Sequence, residues 1–447
     1  MTKTIFNTLL IILCCSAGSF AQDIKGTWNG RIKINNLSLP TVFHIREKGS
    51  TMDSPNQNAA NIPIEVSYPH PDSVIISISP IQATYNGRLR NGKLTGTYKQ
   101  GHHSLPLELV KGDIVIKRPQ EPRPPLPYYG QNVTFRNPHD GTELAGTLTL
   151  PENYTDKTPV VVLVSGSGIQ NRDEEIAHHK PFYVISDYLA RHGIGALRYD
   201  DRSAGMSKGD ASNATTETFA QDAEAAVEYL KKTYPFRNIG IIGHSEGGTI
   251  GIMLGKKKTV RWVVSLAGPA LQGKQILVRQ HKDLLATQKA PEVIIAKYGR
   301  IVNKIYEMRI NGEQFADPDA KIAEISAALN TSVPQFMHKS LKDIMKGWTP
   351  WLDFFIKYDP TADIQSLGIP ILALYGEKDT QVNAQENLFS MTQNLQENPL
   401  SQVRSFPGLN HLFQHCETGS IFEYGDIEET ISPEILQKIA TWIKSVK

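Results

Sequence analysis

The sequence predicts an α/β domain with a mostly parallel sheet, helices on both faces and a helical cap, preceded by a small all-β domain. Three observations predict this class. From about Tyr128 onwards, strands alternate with helices, which is the pattern of a parallel sheet covered on both faces. Short alternating strands rich in β-branched residues fill residues 22–116. Between the two patterns, "KRPQEPRPPLP" from Lys117 to Pro127 holds five prolines in eleven residues and predicts a stiff linker.

Length and composition limit the class of protein. A chain of 447 residues is too long for one ordinary core and favours two or three domains. Apolar residues make up 40% and charged residues 21%, which is typical of a soluble globular protein. The net charge is +2 and no run of basic residues is present, so we expect no nucleic-acid partner.

The first 21 residues are predicted to be a signal peptide. Lys3 gives a basic start, "TLLIILCC" an apolar run, and "SFA" a small-x-small cleavage site that ends at Ala21. The run is shorter than the roughly 20 apolar residues of a spanning helix, so we expect no stable membrane insertion. Lipoprotein anchoring through Cys14 or Cys15 is the weaker alternative, because bulky Leu13 stands where a small residue is expected. The sequence therefore predicts a periplasmic or secreted protein.

Cysteine and histidine usage predicts neither a disulfide nor a metal site. Removal of the signal peptide leaves Cys416 alone, so no intramolecular disulfide and no cysteine-based zinc site is expected. The adjacent pairs His102-His103 and His178-His179 cannot both face one metal from a strand or helix, and we expect them to be solvated. No metal and no cofactor is predicted.

Residues 22–116 are predicted to form a small barrel or sandwich. The stretches "GTWNGRIKI", "TVFHIRE", "IPIEVSY", "SVIISIS" and "KLTGTYK" are short and separated by Gly, Pro and Asn. Asn86-Gly87 and Asn91-Gly92 are predicted hairpin turns. The opening "GTWNG" resembles the Gly-x-Trp start of lipocalin-like barrels, and we expect Trp28 to plug the barrel rather than to bind a ligand.

Residues 128–447 carry the strands and helices of the α/β domain. The predicted strands include "PVVVLV", "GALRYD", "NIGII", "RWVVSLA" and "PILALYG". One helix has Pro181 in its first turn and Gly193 at its end, "TFAQDAEAAVEYLKK" is a second, and "SPEILQKIATWIK" closes the chain as a third. Between "SLAGPA" and "PILALYG", about a hundred residues show helical spacing without a convincing strand. This insertion predicts a helical cap at about residues 272–350.

The pattern G-x-S-x-G occurs twice, from Gly243 to Gly247 and from Gly205 to Gly209. Ser245 follows the buried strand "NIGII" and precedes the small-residue helix "GGTIGIMLG", which is the strand–turn–helix context that a nucleophile elbow requires. Ser207 lies in a polar stretch without these flanks. We therefore predict Ser245 as the nucleophile and regard the pattern at Ser207 as a chance match.

A catalytic serine needs a base that a third group holds in place. In this kind of domain the acid and the histidine follow the serine along the chain. Asp379 lies just beyond the strand "PILALYG", and His411 lies just beyond the next strand. Both positions are at strand carboxyl ends, where open α/β sheets place their sites. The predicted triad is Ser245, Asp379 and His411.

Attack on an acyl carbon creates an oxyanion, which two backbone N–H groups can stabilise. One is predicted to be that of Glu246, directly after the nucleophile. The other is predicted to come from Ser167, in the oxyanion loop "SGSGIQNRDE" (residues 165–174) that follows "PVVVLV". Gly166 and Gly168 allow this backbone to approach the substrate closely.

These residues resemble the α/β-hydrolase superfamily, and within it bacterial serine esterases and acyl hydrolases. The motifs are a G-S-G-x-x-x-R-D loop ending at Arg172-Asp173, a G-H-S-E-G-G elbow with Gly243 and Gly247 around the serine, and an N-H-x-F histidine loop. The resemblance covers about residues 130–447. It implies ester or thioester hydrolysis and an N-terminal β domain in some members. We expect Arg172 and Asp173 to brace the oxyanion loop.

Two departures from the family pattern stand near the site. Val164-Ser165-Gly166 replaces the usual His-Gly before the oxyanion loop, and this affects the choice of Ser167 as a donor. The familiar D-x-R-G-x-G-x-S is "DDRSAGMS" here, with Ser203 in place of glycine. Neither departure touches the triad.

The sequence thus predicts an exported serine hydrolase that cleaves small-molecule esters of short or modest apolar acyl groups through an acyl-enzyme. A serine aminopeptidase or thioesterase would use the same groups on an amide or a thioester. A binding protein that keeps the fold as a scaffold is the alternative from another class, and the complete triad disfavours it. No oligomeric state is predicted. Four aromatic residues at the end of the cap either line an acyl pocket or pack the cap onto the core: Trp348, Trp351, Phe354 and Phe355.

Overall fold

The structure is a computed structural model that describes residues 24–34, 37–57, 59–114 and 117–446. The predicted signal peptide, with Cys14 and Cys15, lies outside the described residues. The chain divides into two compact units, residues 1–115 and 116–447. Among the helices that the structure describes, none has both the length and the apolar character needed to cross a membrane.

The first unit is an antiparallel sheet of nine strands within its described residues. The strands are β1 (Gly26–Ile34), β2 (Leu37–Ile45), β3 (Thr51–Ser54), β4 (Ala59–Pro63), β5 (Glu65–Ser67), β6 (Ser73–Ile78), β7 (Ala83–Arg90), β8 (Lys93–Gln100) and β9 (His103–Lys111). Their order is β4-β3-β2-β1-β9-β8-β7-β6-β5. Since only Ile64 separates β4 from β5, the sheet ends beside the segment at which it began. The predicted small all-β fold is confirmed, with a nearly closed barrel.

The interior of the first unit is apolar and contains Trp28. The side chain of Trp28 is buried with Phe43 and Tyr85, and its indole N–H donates to the carbonyl of Ile24 at 2.7 Å. Because the ring is enclosed by core residues and its polar atom is satisfied, Trp28 fills the barrel as expected.

One of the two predicted hairpin turns is correct. Asn91 and Gly92 connect β7 to β8, and both have the positive φ angles that a two-residue hairpin of this type requires. The prediction at Asn86-Gly87 is wrong, because both residues lie inside β7 and pair with β6 and β8. A side chain at Gly87 would collide with the ring of Tyr85. The glycine therefore makes room for a buried aromatic ring rather than for a turn.

The second unit contains a mixed sheet of eight strands within its described residues. They are β10 (Tyr128–Arg136), β11 (Glu143–Pro151), β12 (Val160–Val164), β13 (Gly195–Tyr199), β14 (Ile239–His244), β15 (Val263–Leu266), β16 (Ile371–Gly376) and β17 (Gln402–Phe406). Their order is β10-β11-β13-β12-β14-β15-β16-β17. β11 is antiparallel to both of its neighbours, and all pairs from β13 to β17 are parallel. The carboxyl ends of the parallel strands therefore lie along one edge.

Helices cover both faces of this sheet. They are α1 (Pro181–Arg191), α2 (Thr216–Thr233), α3 (Glu246–Lys256), α4 (Gly273–Thr287), α5 (Glu292–Ile310), α6 (Pro318–Ala328), α7 (His338–Lys346), α8 (Pro350–Lys357), α9 (Thr361–Gln365), α10 (Ala384–Asn394) and α11 (Pro433–Ser445). Apolar residues of α2, α3 and α10 share one core with the sheet, and those of α1 and α11 share a second. The α/β class is confirmed.

The helices α4 to α9 lie between β15 and β16, where the sequence predicts a cap. Residues of α5 to α8 form a core of their own, which includes Ile301, Ile305, Ile325 and Leu341. The helical segment continues past residue 350, since Ile356 of α8 also belongs to this core. On the same helix Phe355 belongs to the core of the sheet, so α8 joins the cap to the sheet.

The proline-rich stretch is anchored to the second unit. The guanidinium of Arg118 donates to the carbonyl oxygens of Ala177 at 3.1 Å and Gly425 at 3.0 Å. The side-chain amide of Gln120 donates to the carbonyl of Ile431 at 2.7 Å. Residues 117–120 are therefore bound to loops of this unit, although their composition resembles that of a spacer.

Candidate active site

Ser245 occupies a sharp turn between β14 and α3. Its backbone has φ 52° and ψ −121°, a conformation that residues other than glycine rarely adopt. The turn is held because the N–H of Ser245 donates to the carbonyl of Leu266 at 2.8 Å and its carbonyl accepts from Gly248 at 2.9 Å. The sequence thus places the half-buried Ser245 at the carboxyl edge of the sheet, at the first turn of a helix.

The two glycines of the elbow are required by close backbone packing. A Cβ atom at Gly243 would overlap the backbone of Gly247, and a Cβ atom at Gly247 would overlap the carbonyl of Val164. The elbow therefore lies directly against the end of β12, which is where the oxyanion loop begins.

Asp379 and His411 form a buried pair. The Nδ1–H of His411 donates to Oδ2 of Asp379 at 2.7 Å, and the two side chains are 5% and 0% exposed. The other carboxylate oxygen of Asp379 accepts from the backbone N–H groups of Gln381 and Val382 at 2.7 and 2.9 Å. Because the Nδ1–H of His411 is held in a hydrogen bond to Asp379, Nε2 of a neutral His411 is left free to accept a proton.

Glu377, two residues before Asp379, lies in a different environment. It is exposed, and its carboxylate accepts from the hydroxyl of Ser405 at 2.8 Å. The geometry therefore distinguishes the two acidic residues of this loop, and the one bound to His411 is Asp379.

The turn of Ser245 and the base loop (residues 407–415) are connected through His244. The Nε2 atom of His244 lies 3.0 Å from the carbonyl oxygen of His411, and the centroids of the two rings are 4.7 Å apart. His244 directly precedes Ser245, so this contact brings the base loop to the nucleophile's turn.

The oxyanion loop approaches the same turn. A Cβ atom at Gly166 would lie 3.1 Å from Cβ of Ser245, so the loop backbone passes beside the serine. The N–H of Gly166 donates to the carboxylate of Glu174 at 2.7 Å and is already engaged. The side chain of the exposed Ser167 lies close enough to the carboxylate of Glu246 to lower its pKa, so both predicted oxyanion donors belong to the same part of the site.

The side chain of Glu246 is buried and links three elements. Its carboxylate accepts from the hydroxyl of Thr216 on α2 at 2.6 Å and from the indole of Trp351 on α8 at 2.9 and 3.0 Å. Burial raises the pKa of Glu246, and these hydrogen bonds act in the opposite direction. The residue that follows Ser245 is therefore bonded to α2 and, through Trp351, to the cap.

Arginine–carboxylate pairs support the far end of the oxyanion loop. The side chain of Arg172 binds Asp200 at 2.6 Å, and its backbone N–H donates to the same carboxylate at 2.8 Å. Asp173 pairs with the buried Arg198 of β13. Arg172 and Asp173 thus tie the loop to the end of β13. The sequence analysis did not find Asp200 and Arg198, because nothing in the linear pattern marks them as partners.

The two departures from the family pattern have local explanations. Ser165 donates its hydroxyl to Asp201 at 2.9 Å, and the backbone N–H of Gln170 donates to the same carboxylate at 2.9 Å. Burial raises the pKa of Asp201 to about 7. Ser203 has a φ angle of 67°, which explains why glycine is usual there, and its hydroxyl donates to the carbonyl of Gly209 at 3.0 Å.

Ser207 has a structural environment. It is buried, its hydroxyl donates to the carbonyl of Asp200 at 2.6 Å, and it accepts from the N–H of Ala145 at 2.9 Å. The hydroxyl therefore continues the hydrogen-bond ladder between β11 and the end of β13. It is already used by two backbone groups.

One prediction about histidine is wrong. His102, His103 and His178 are exposed as expected, but His179 is completely buried. Its Nε2 lies 2.8 Å from the carbonyl of Tyr424, and burial lowers the pKa of His179 to about 4. The adjacent His178 is solvated because the backbone turns between the two residues, where His178 has a φ angle of 64°. The spacing of the two histidines in the sequence does not reveal this turn.

The model of the family "Serine aminopeptidase, S33" (Hydrolase_4) matches residues 175–415, which is more than half of the chain. The chain belongs to this family. The match includes the elbow, Asp379 and His411, and with the sheet order it identifies the α/β-hydrolase fold. The predicted membership of the α/β-hydrolase superfamily is confirmed.

Similar proteins include esterases and a peptidase. Esterase EstD of Thermotoga maritima is 26% identical over 302 residues, which are 67% of this chain and 65% of the relative's length. A Pyrococcus furiosus esterase structure is 16% identical and covers 75% of this chain and 99% of its own, with a TM-score of 0.43. The structure of proline iminopeptidase of Mycobacterium smegmatis is 14% identical and covers 70% of this chain and 98% of its own, with a TM-score of 0.42.

Proposed function

We propose that this protein is an exported serine hydrolase that cleaves carboxylic esters of short or modest apolar acyl groups. Ser245 is the nucleophile, His411 the general base and Asp379 the residue that orients His411. The observation that carries the proposal is the buried Asp379–His411 hydrogen bond of 2.7 Å, in a loop connected through His244 to the turn of Ser245. A scaffold without catalysis would not need this arrangement.

The reaction proceeds in two halves. The Oγ atom of Ser245 attacks the carbonyl carbon while Nε2 of His411 takes its proton, and the tetrahedral oxyanion then expels the alcohol, which receives that proton. A water molecule attacks the resulting acyl-enzyme with His411 again as the base, and the acid and free Ser245 are released. Asp379 stabilises the imidazolium that forms in each half.

The backbone N–H groups of Glu246 and Ser167 are the proposed oxyanion donors. Glu246 is the first residue of α3, so its N–H is one of those that have no partner within the helix, and the helix dipole favours negative charge there. In the oxyanion loop the N–H of Gly166 is bound to Glu174, which leaves Ser167 as the next donor. Gly168, with a φ of 102°, allows the loop to turn beyond it.

Esters are favoured over aminoacyl amides because the buried acid that follows Ser245 is already hydrogen-bonded and therefore does not offer a free carboxylate to an ammonium group. Glu246 is the buried acid beside the proposed nucleophile, and Thr216 and Trp351 already donate to it. Trp351 stacks on Phe355 at 5.2 Å between ring centroids, which gives the cap an apolar surface near this residue. The relative EstD is named an esterase, which agrees with this choice.

The experiment that tests the proposal measures kcat/KM on an ester and an amide that share one apolar acyl group. We expect the ester to be cleaved much faster, because an alcohol leaves more readily than an amine. Ser245→Ala serves as the control for activity from contaminants. Amide turnover equal to or better than ester turnover would support an aminopeptidase instead, and a faster thioester would support a thioesterase.

Export is supported by the basic start, apolar run and small-x-small site that end at Ala21. Expression of the full chain in a bacterial host should release a protein whose sequence begins at Gln22. Protein that keeps Met1 and stays in the cytoplasm would contradict export. A lipid-modified Cys14 or Cys15 at the new N-terminus would show anchoring instead.

A further inference from the structure

A second buried carboxylate–imidazole pair lies beside the triad. Nδ1 of His244 is 2.9 Å from Oε1 of Glu174, and the two side chains are 6% and 1% exposed. The proposed mechanism uses neither side chain. Glu174 ends the oxyanion loop, and His244 is the residue before the nucleophile. The pair therefore stands between the two loops that serve the reaction.

The contacts of His244 determine its protonation. Nδ1 faces a carboxylate oxygen of Glu174 and Nε2 faces the backbone carbonyl of His411 at 3.0 Å. An ionised carboxylate and a carbonyl can only accept hydrogen bonds, so both ring nitrogens must donate. A ring with two N–H groups is an imidazolium, and the carboxylate of Glu174 supplies the matching negative charge.

The groups around the pair agree with this assignment. Burial on its own lowers the pKa of His244, but the charge and hydrogen bond of Glu174, the carbonyl of His411 and the charge of Asp379 together raise it. The same oxygen of Glu174 accepts from the N–H of Gly166 at 2.7 Å, and its other oxygen is buried without a hydrogen-bond partner among the residues that the structure describes. Burial raises the pKa of the neighbouring Asp201 to about 7, and the charge of Glu174 acts in the same direction.

We propose that His244 is a positioning residue that works as an imidazolium and ties the oxyanion loop, through Glu174, to the base loop. One carboxylate oxygen fixes Gly166, and the ring that it binds fixes the backbone of His411. Loss of one proton from His244 would bring a nitrogen lone pair against an oxygen, so one of the two links would break. The inference rests on the proposed function for its effect on turnover, but not for the charge of the ring.

The consequence for activity is a loss of rate at alkaline pH. If the triad histidine were the only group whose protonation affects the reaction, kcat/KM would rise with pH and then level off. With His244 as an imidazolium, kcat/KM should fall again at the pH at which this ring loses its proton. Circular dichroism at that pH should still show a folded protein. Misplacement of reacting groups by about 1 Å can cost on the order of 100-fold in rate.

The experiment compares pH profiles of kcat/KM for the wild type and three variants. His244→Gln should lose about 10- to 100-fold at the plateau and should show no alkaline decline over the same range. Glu174→Gln keeps an acceptor for Gly166 but removes the charge, so the alkaline decline should move to lower pH by about one to three units. His192→Gln, at an exposed histidine of α1's C-terminal end, is the matched control and should leave the profile unchanged.

Ring ¹⁵N NMR of the labelled protein provides a readout that does not need turnover. The signals that vanish in His244→Gln should show two N–H groups at neutral pH in the wild type and titrate with the alkaline decline. A neutral ring at pH 7, or an alkaline decline that Glu174→Gln leaves in place, would overturn the inference. If no ester is hydrolysed but the imidazolium is present, the proposed function fails and the charge of His244 stands.

Discussion

The two G-x-S-x-G serines should separate in two independent measurements. Ser245→Ala should abolish hydrolysis with little effect on stability, because its turn is held by backbone hydrogen bonds that alanine keeps. Ser207→Ala should lower the stability of the protein and leave hydrolysis within a few-fold of the wild type. Its hydroxyl bridges the N–H of Ala145 and the carbonyl of Asp200 inside the protein, and alanine leaves both groups without that partner.

The magnitudes follow from these contacts. Removal of a triad serine costs on the order of a million-fold in rate, which corresponds to about 8 kcal/mol of transition-state stabilisation. A buried group that loses its hydrogen bond costs about 1–3 kcal/mol. Two such groups at Ser207 therefore predict a free energy of unfolding lower by about 2–6 kcal/mol, which lowers the melting temperature of a unit of this size by roughly 3–9 °C.

The assay measures kcat/KM on one chromogenic ester and the melting temperature for each variant. For Ser207→Ala we expect kcat/KM within a few-fold of the wild type at a temperature where the variant is folded. A loss near a million-fold in folded Ser207→Ala would refute the assignment of Ser245. An unchanged melting temperature would refute the structural role of the Ser207 hydroxyl.

Three further predictions concern the acid, the base and stability. Asp379→Asn should reduce kcat up to about ten-thousand-fold by favouring the wrong tautomer of His411, while the exposed Glu377→Gln should change it a few-fold at most; the reverse ranking would move the acid to Glu377. Hydrolysis should decline in acid because a protonated histidine cannot act as the base, and a flat rate from pH 5 to 8 would contradict a histidine base. Burial lowers the pKa of His179 and of His281 to about 4, so both stay neutral in the folded protein while they become charged in the unfolded chain. The free energy of unfolding should therefore fall as the pH drops from about 6.5 to 4, and His281→Phe should weaken this dependence in pH-resolved denaturation.

Much of the fold was predictable because it rests on local periodicity. Continuous apolar runs indicated the buried strands, and Pro181 and Gly193 marked the ends of α1, which spans Pro181–Arg191. The error at Asn86-Gly87 arose because a glycine that admits a buried ring looks the same in sequence as a glycine in a turn. At the end of the predicted cap, α8 contributes to two cores, so its apolar residues do not follow one face.

The triad residues could be proposed because each follows a strand, and strand ends converge in a parallel sheet. The residues that hold them could not, since their partners are far apart in sequence and carry no spacing of their own. Glu174 and His244 are 70 residues apart, and His244 and His411 are 167 apart. Glu246 was predicted for its backbone, yet its side chain connects α2 and α8. A position inside a recognised motif can therefore carry two separate roles.

The contacts that hold the oxyanion loop and the triad residues in place have a common physical effect. A backbone N–H stabilises an oxyanion only if its loop is already in place before the charge develops, because reorganisation during the reaction would cost rate. Residues 167–169 of the oxyanion loop are exposed, so burial does not fix this part of the loop. Carboxylates fix it instead: Asp200 at Arg172, Asp201 at Gln170 and Glu174 at Gly166. Buried carboxylates are stable only when donors satisfy them, so the loop and the acids stabilise each other. This mutual dependence explains why His244, which satisfies Glu174 and also binds the base loop, is the position at which one substitution should disturb both halves of the site.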